Sequence, residues 1–139
     1  MVSITKKGSE DANNEFEDRN QQQEAVAPED AIQNRRVRAV IDFMNANIHR
    51  KIPMAELAEA VNLSTSHLSR LFKSDTGLPP GEYLSRLRME KARHLLATSF
   101  LSIKQIMATV GYDSKSHFVR HFRKSFGLAP SKYRKSVNS

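Results

Sequence analysis

The sequence has no cysteine, which excludes disulfides, cysteine-ligated zinc and thiol catalysis. Glycine and proline number five each, too few for a collagen-like or loop-dominated chain. No run approaches the roughly 18 apolar residues of a membrane span, and no apolar stretch of the signal-peptide kind follows Met1. A secreted or membrane protein is therefore not expected. What is present is 39% hydrophobic and 27% charged residues over 139 positions, material for one ordinary domain with a modest core and a well-solvated surface.

The formal charge of +7 is unevenly spread. Residues 1–35 carry four Lys/Arg against eight Asp/Glu, a net of −4, whereas residues 36–139 carry 18 against seven, a net of +11. The acidic head, residues 1–35, is rich in Asn, Gln, Glu, Asp and Ser and shows no helical or strand period. Such composition buries too little apolar area to offset chain entropy, so a disordered, solvated segment is expected there. The basic body suggests a polyanionic partner.

Periodicity begins after Arg36, where Val37, Val40, Ile41, Met44 and Ile48 recur on one helical face. Pro53 is placed to open a short helix through Val61. Ser64 is a plausible N-cap for a helix running to Thr76 and stopping at Gly77. Pro79 and Pro80 start a long helix to about Thr98. Ser102 and Gln105 have capping-box spacing for a helix ending at Gly111. Asp113 or Ser114 caps the next, which ends at Gly127, and Pro130 opens a last one. No convincing strand is found, and the body reads as all-α with about seven helices.

An internal repeat carries the functional reading. At a shift of 50, Ser64, Ser66, His67, Arg70, Phe72, Gly77, Leu78, Pro80 and Tyr83 return as Ser114, Ser116, His117, Arg120, Phe122, Gly127, Leu128, Pro130 and Tyr133. The preceding helices match at a shift of 49, pairing Leu57 with Ile106, Val61 with Val110 and Asn62 with Gly111. The second turn is thus longer by one residue. The sharp bend of each unit needs a residue that tolerates positive φ, which Gly111 does freely and Asn62 better than most.

The second helix of each unit is two-sided. Leu68, Leu71 and Phe72 share one face and Ser66, His67, Arg70 and Lys73 the other; Phe118, Phe122 and Phe126 oppose Ser116, His117, Arg120 and Arg123 in the same way. Arginine can bond bidentately to guanine in the major groove, while Ser and His can donate or accept at base edges. Val119, also read as outward, could pack on a thymine methyl group. Lys73, Arg123 and Lys124 are better placed for phosphates, with the cap residues Ser64 and Ser114 also assigned there. His121 matches Leu71 in register and is expected to be buried or half-buried instead. Between the units, a helix from Pro80 to Thr98 would be about 28 Å long. Successive major-groove segments on one DNA face lie about 34 Å apart, so such a spacer is of the right order. Leu84, Leu87, Leu95 and Leu96 can pack toward the two units, while Arg86, Glu90 and Arg93 share another face.

The body resembles the DNA-binding domain of the AraC/XylS family of bacterial transcription regulators over about residues 36–136. The matching stretches are Leu57-Ala58-Glu59-Ala60-Val61, His67 through Lys73, Gly111-Tyr112, and Phe118 to Arg134. The last follows the family signature F-x-R-x-F-[KR]-x-x-F-G-x-x-P-x-x-[YF]-R. The resemblance implies two homeodomain-like helix-turn-helix subdomains, 36–78 and 100–139, joined by a linker helix within 79–99. It implies a monomeric domain on promoter DNA, mostly activating transcription through RNA polymerase, in the bacterial cytoplasm and on the nucleoid. It carries base reading to Ser66, His67 and Arg70 in the first unit and to Lys115, Ser116, His117 and Arg120 in the second. No cofactor is implied. Two departures are Asn62, where the family commonly has Gly, and Met107, where small Ala is usual; Met107 is expected to shift packing of the second unit. The effector-binding or dimerisation domain of most members does not fit in residues 1–35, so the chain is either a short stand-alone regulator or part of a longer one.

Three rival readings remain. His117 and His121 have the i, i+4 spacing of a metal pair, but no H-E-x-x-H pattern, phosphate loop or nucleophile elbow accompanies them, and an enzyme is not expected. Non-specific nucleic-acid binding, or an architectural DNA role, would also suit a +11 body. A protein-binding module that kept the fold without DNA specificity is the third.

Overall fold

The computed structural model describes residues 28–138. Seven helices follow one another there: α1 (Pro28–Ala46), α2 (Met54–Ala60), α3 (Thr65–Thr76), α4 (Pro80–Thr98), α5 (Ile103–Thr109), α6 (Lys115–Phe126) and α7 (Pro130–Asn138). No strand occurs among the described residues. The all-α expectation, with about seven helices, is met.

Most helix limits follow from local chemistry. Ser64 Oγ accepts from the His67 N–H and Ser114 Oγ from the His117 N–H, capping α3 and α6. Both helices end on a left-handed glycine, Gly77 at φ 87° and Gly127 at φ 84°. In α5 the full capping box forms, Ser102 Oγ accepting from Gln105 N and Gln105 Oε1 from Ser102 N. Pro80 is buried at the first turn of α4, where its missing N–H costs nothing.

The largest departure is at the start. The periodicity places the first helix after Arg36, whereas α1 begins at Pro28, inside the segment read as disordered. A proline followed by Glu29 and Asp30 is a helix-start signal. An apolar-period search passes over it because residues 28–36 present no repeating apolar face. The rest of that reading, residues 1–27, lies outside the described residues. At the other end α1 stops at Ala46, so Ile48 is buried from the following turn and not from the helix. Pro53 precedes α2 as its N-cap residue and does not form its first turn.

Two separate apolar cores share one helix. Val37, Val40, Met44, Leu57, Ala58, Val61, Leu68, Phe72 and Leu84 form the first. Met89, Ala92, Leu96, Ile106, Met107, Val110, Phe118 and Phe122 form the second. Helix α4 thus gives Leu84, with half-buried Tyr83 and Leu87, to one unit and Met89, Ala92 and Leu96 to the other. Met107 is accommodated as part of the second core, where Ala58 occupies the matching place in the first.

Each core is closed by the same device. The helices after Gly77 and Gly127 each start on a buried proline and set a tyrosine edge-on against the central phenylalanine. Phe72 and Tyr83 have ring centroids 5.1 Å apart at 85°, and Phe122 and Tyr133 lie 5.7 Å apart at 65°. Such edge-to-face pairs add about 0.5–1.5 kcal/mol beyond the area they bury.

Candidate nucleic-acid interface

The turn of each unit is built from the same hydrogen bond. Leu63 N–H donates to Ala58 O at 3.0 Å in the first, and Tyr112 N–H to Met107 O at 2.8 Å in the second. The bend requires a left-handed residue, supplied by Asn62 at φ 59° and Gly111 at φ 84°. Asn62 is the sole non-glycine residue with positive φ among the described residues. This bend lets α3 and α6 lie across the preceding helices with one face on the core and the other in solvent.

The outward faces carry the residues expected there. On α3, Ser66, Arg70 and Lys73 are exposed and His67 is half-buried, while Leu68 and Phe72 are fully buried. On α6, Lys115, Ser116, His117, Arg120, Arg123 and Lys124 are exposed, against buried Phe118 and Phe122. Val119 is half-buried and offers less surface than an outward reading gives it. Among the described residues, no carboxylate pairs with Arg70, Lys73, Lys115, Arg120, Arg123 or Lys124. Six cations on two helix faces without internal counter-ions make a surface ready for an external anion. Ser64 and Ser114 each accept one cap hydrogen bond, and each has a hydroxyl proton to donate, Ser114 with Ser116 Oγ 3.3 Å away.

His121 is half-buried, as its register implies, with Nδ1 2.9 Å from the Tyr112 hydroxyl. It does not turn wholly away from His117: the two rings lie 4.4 Å apart, centroid to centroid. Among the described residues, no group of three or more His, Asp or Glu is arranged to hold a metal.

Sequence reasoning missed the residue that joins the units. Arg88 lies midway along α4, one turn from Leu84 in the first core and one turn from Ala92 in the second. Its Nη1 donates to Ile48 O and, at 2.7 Å, to Val110 O; its Nη2 donates to Arg50 O at 2.9 Å. The first and third carbonyls belong to the loop after α1 and the second to the turn of the second unit. Burial pushes the Arg88 pKa down, but a guanidinium keeps its charge, and three carbonyl dipoles offset the desolvation. The one available signal was an arginine on an otherwise apolar helical stripe. Arg134 acts similarly at the other end, donating from Nε to Leu96 O at 3.1 Å and from Nη2 to Ser99 O at 3.2 Å, which ties α7 to the end of α4.

Comparison with known proteins agrees with this geometry. The family described as a helix-turn-helix domain matches residues 57–136, more than half of the chain. The chain belongs to the AraC/XylS family. The lactose operon transcription activator of Staphylococcus xylosus is 37% identical over 103 residues, covering 74% of this chain and 37% of that protein. The MmsAB operon regulatory protein of Pseudomonas aeruginosa is 36% identical over 95 residues, 68% of this chain and 31% of that one. The chain therefore spans about a third of the length of these relatives, which are named as operon regulators. Among solved structures, an AraC-type transcriptional regulator from Chromobacterium violaceum superposes with a TM-score of 0.71 at 32% identity, covering 77% of this chain and 96% of that one. The DNA-binding domain of AdpA, solved in complex with a target DNA, superposes with a TM-score of 0.70 at 27% identity, covering 73% and 92%. No described helix is long and apolar enough to cross a membrane.

Proposed function

We propose that this AraC/XylS domain binds double-stranded promoter DNA sequence-specifically, as a monomer, by laying α3 and α6 into adjacent major-groove segments. The observation that carries the reading is the duplicated recognition surface: two capped helices with matching exposed Ser-His-x-x-Arg faces, fixed to one linker helix. Ser66, His67 and Arg70 read bases from the first unit, and Lys115, Ser116, His117 and Arg120 from the second. Ser64, Lys73, Ser114, Arg123 and Lys124 hold phosphates, which adds affinity without sequence information. The related AdpA DNA-binding domain, crystallised in complex with a target DNA, supports DNA binding by this fold. By analogy with the lactose operon transcription activator, the outcome is activation; contact with RNA polymerase on the bacterial nucleoid is the route that the family resemblance implies.

Selection of duplexes from a randomised library at near-physiological salt tests this reading. Two short motifs with centres about one helical turn apart are expected. Arg70→Ala should erase the preference at one motif and Arg120→Ala at the other, each costing about 1–3 kcal/mol at the specific site. A stoichiometry of one chain per duplex by sedimentation checks the monomeric mode. Enrichment of no motif, with binding that collapses steeply in salt, would leave a non-specific basic domain instead.

A further inference from the structure

The two units differ behind their recognition helices. Where the first has Leu63 and Leu71, the second has Tyr112 and His121. The Tyr112 hydroxyl and His121 Nδ1 are 2.9 Å apart, and the Tyr112 ring meets His117 and His121 edge-on at 5.4 Å and 5.9 Å. With 4.4 Å between the two imidazoles, His117 is exposed on one side and rests on this pair on the other. We propose that Tyr112 and His121 are positioning residues that fix the His117 ring at the DNA-facing surface and tie the base preference of the second helix to the protonation state of His121. This rests on the reading of His117 as a base contact.

An imidazole on an exposed helix turn samples several rotamers, and each one frozen out before binding removes an entropic cost from recognition. Packing against Tyr112 and His121 restricts that freedom; no equivalent pair stands behind His67. When Nδ1 of neutral His121 accepts from the Tyr112 hydroxyl, the ring proton sits on Nε2. A second proton turns Nδ1 into a donor, forces the phenol to reorient, and sets a positive charge beside His117, Arg120 and Lys124.

The surroundings of His121 favour the neutral ring. Burial lowers its pKa first, followed by the charges of His117, Arg120 and Lys124. From α4, Ser85 and Arg88 approach Tyr112, and Glu82, Arg86 and Glu90 line a cleft of about 560 Å³ with His121 and Lys124. Lys51, Arg88 and Asp113 line a second cleft of about 300 Å³ on its other side. The carboxylates oppose the shift without reversing it. His121 is therefore neutral in the neutral pH range and takes its charge on acidification.

The test measures, for the full chain, the preference for an intact over a scrambled second motif in the selected duplex, from neutral pH down to below the ordinary imidazole range, where a depressed His121 takes its proton. Wild type should lose preference as pH falls. Tyr112→Phe and His121→Leu, the latter installing the first unit's residue, should each lower the neutral-pH preference roughly five-fold, and His121→Leu should also flatten its pH profile. Preference at the first motif should stay unchanged in both. Histidine ring NMR of the free protein should show the His117 ring signals shifting when His121 is replaced, because the two rings lie 4.4 Å apart. Unchanged second-motif preference and an unchanged pH profile in both variants would overturn the proposal while leaving sequence-specific binding intact. Absence of any sequence preference in the wild type would overturn it together with the reading beneath it.

Discussion

In the first unit the sharp turn is made by Asn62, exposed to solvent, with Leu63 and Leu71 behind the recognition helix; in the second it is made by half-buried Gly111, with Tyr112 and His121 in those places. The parts that define the unit are repeated: serine caps, left-handed glycines, buried prolines, and a tyrosine on the central phenylalanine. Of the parts that differ, the second turn faces the linker helix. A Cβ on Gly111 would overlap the Arg88 guanidinium and press on the Ile48 carbonyl. The second turn is thus both a bend and the seat on which the first unit is joined, while the first turn is only a bend. Duplication supplied two readers; fixing their relative position took residues from one of them.

Substitution at the two turns separates those roles most sharply. Gly111→Ala adds left-handed strain and displaces Arg88 from three carbonyls, and should cost about 3 kcal/mol or more. Asn62→Ala carries only the conformational penalty, about 1 kcal/mol. Chemical denaturation of both variants checks the ratio, and equal losses would mean that the Arg88 seat contributes nothing.

Arg88→Met probes the same junction from the other side. Removing a charged donor from three carbonyls should cost about 2–4 kcal/mol by denaturation. The more telling readout is spacing. With the units no longer tied, duplexes whose two motifs are moved apart by one base pair should lose less affinity, relative to the selected spacing, than they do with wild type.

The repeated frame should answer symmetrically. Ser64→Ala and Ser114→Ala each remove an N-cap oxygen from a 12-residue recognition helix and should each cost about 1 kcal/mol in thermal unfolding. A large inequality would place more of the stability of one helix in its cap than the common geometry allows.

Much of this architecture could be read from the residues. The starts of α3, α4, α6 and α7 and the ends of α3 and α6 are written in serine, proline and glycine, and the inward and outward faces of α3 and α6 follow from a 100° period. Local signals fail where the partner is distant. Arg88 looks like another solvated arginine beside Arg86 and Arg93, because its acceptors lie 40, 38 and 22 residues away in sequence. Register alone turned His121 inward and the i, i+4 spacing sets His117 beside it, but the tyrosine both rings meet comes from the turn, and no helical period encodes that contact. The early start of α1 escaped for another reason. Its first residues have start chemistry without an apolar stripe, and periodicity registers only the stripe.

The smallest difference between the units lies at the starts of α2 and α5. Pro53 offers no side-chain cap, and Glu56, three residues on, instead forms a two-pronged pair with Arg50, one arm at 3.1 Å. The matching positions in the second unit, Ser102 and Gln105, form an uncharged capping box. The hydrogen bond from Arg50, more than its charge, holds the Glu56 pKa below its ordinary value. A carboxylate with a depressed folded-state pKa stabilises the fold above the ordinary carboxylate range, and that contribution is lost as pH falls through the folded-state value. The stability gap between wild type and Glu56→Gln should therefore be present at neutral pH, shrink with acidification, and shrink with salt, as an exposed pair must. The gap between wild type and Gln105→Ala should ignore both variables, because nothing in that cap titrates. Parallel denaturation curves across pH would show the same helix start secured by charge in one copy and by neutral hydrogen bonds in the other.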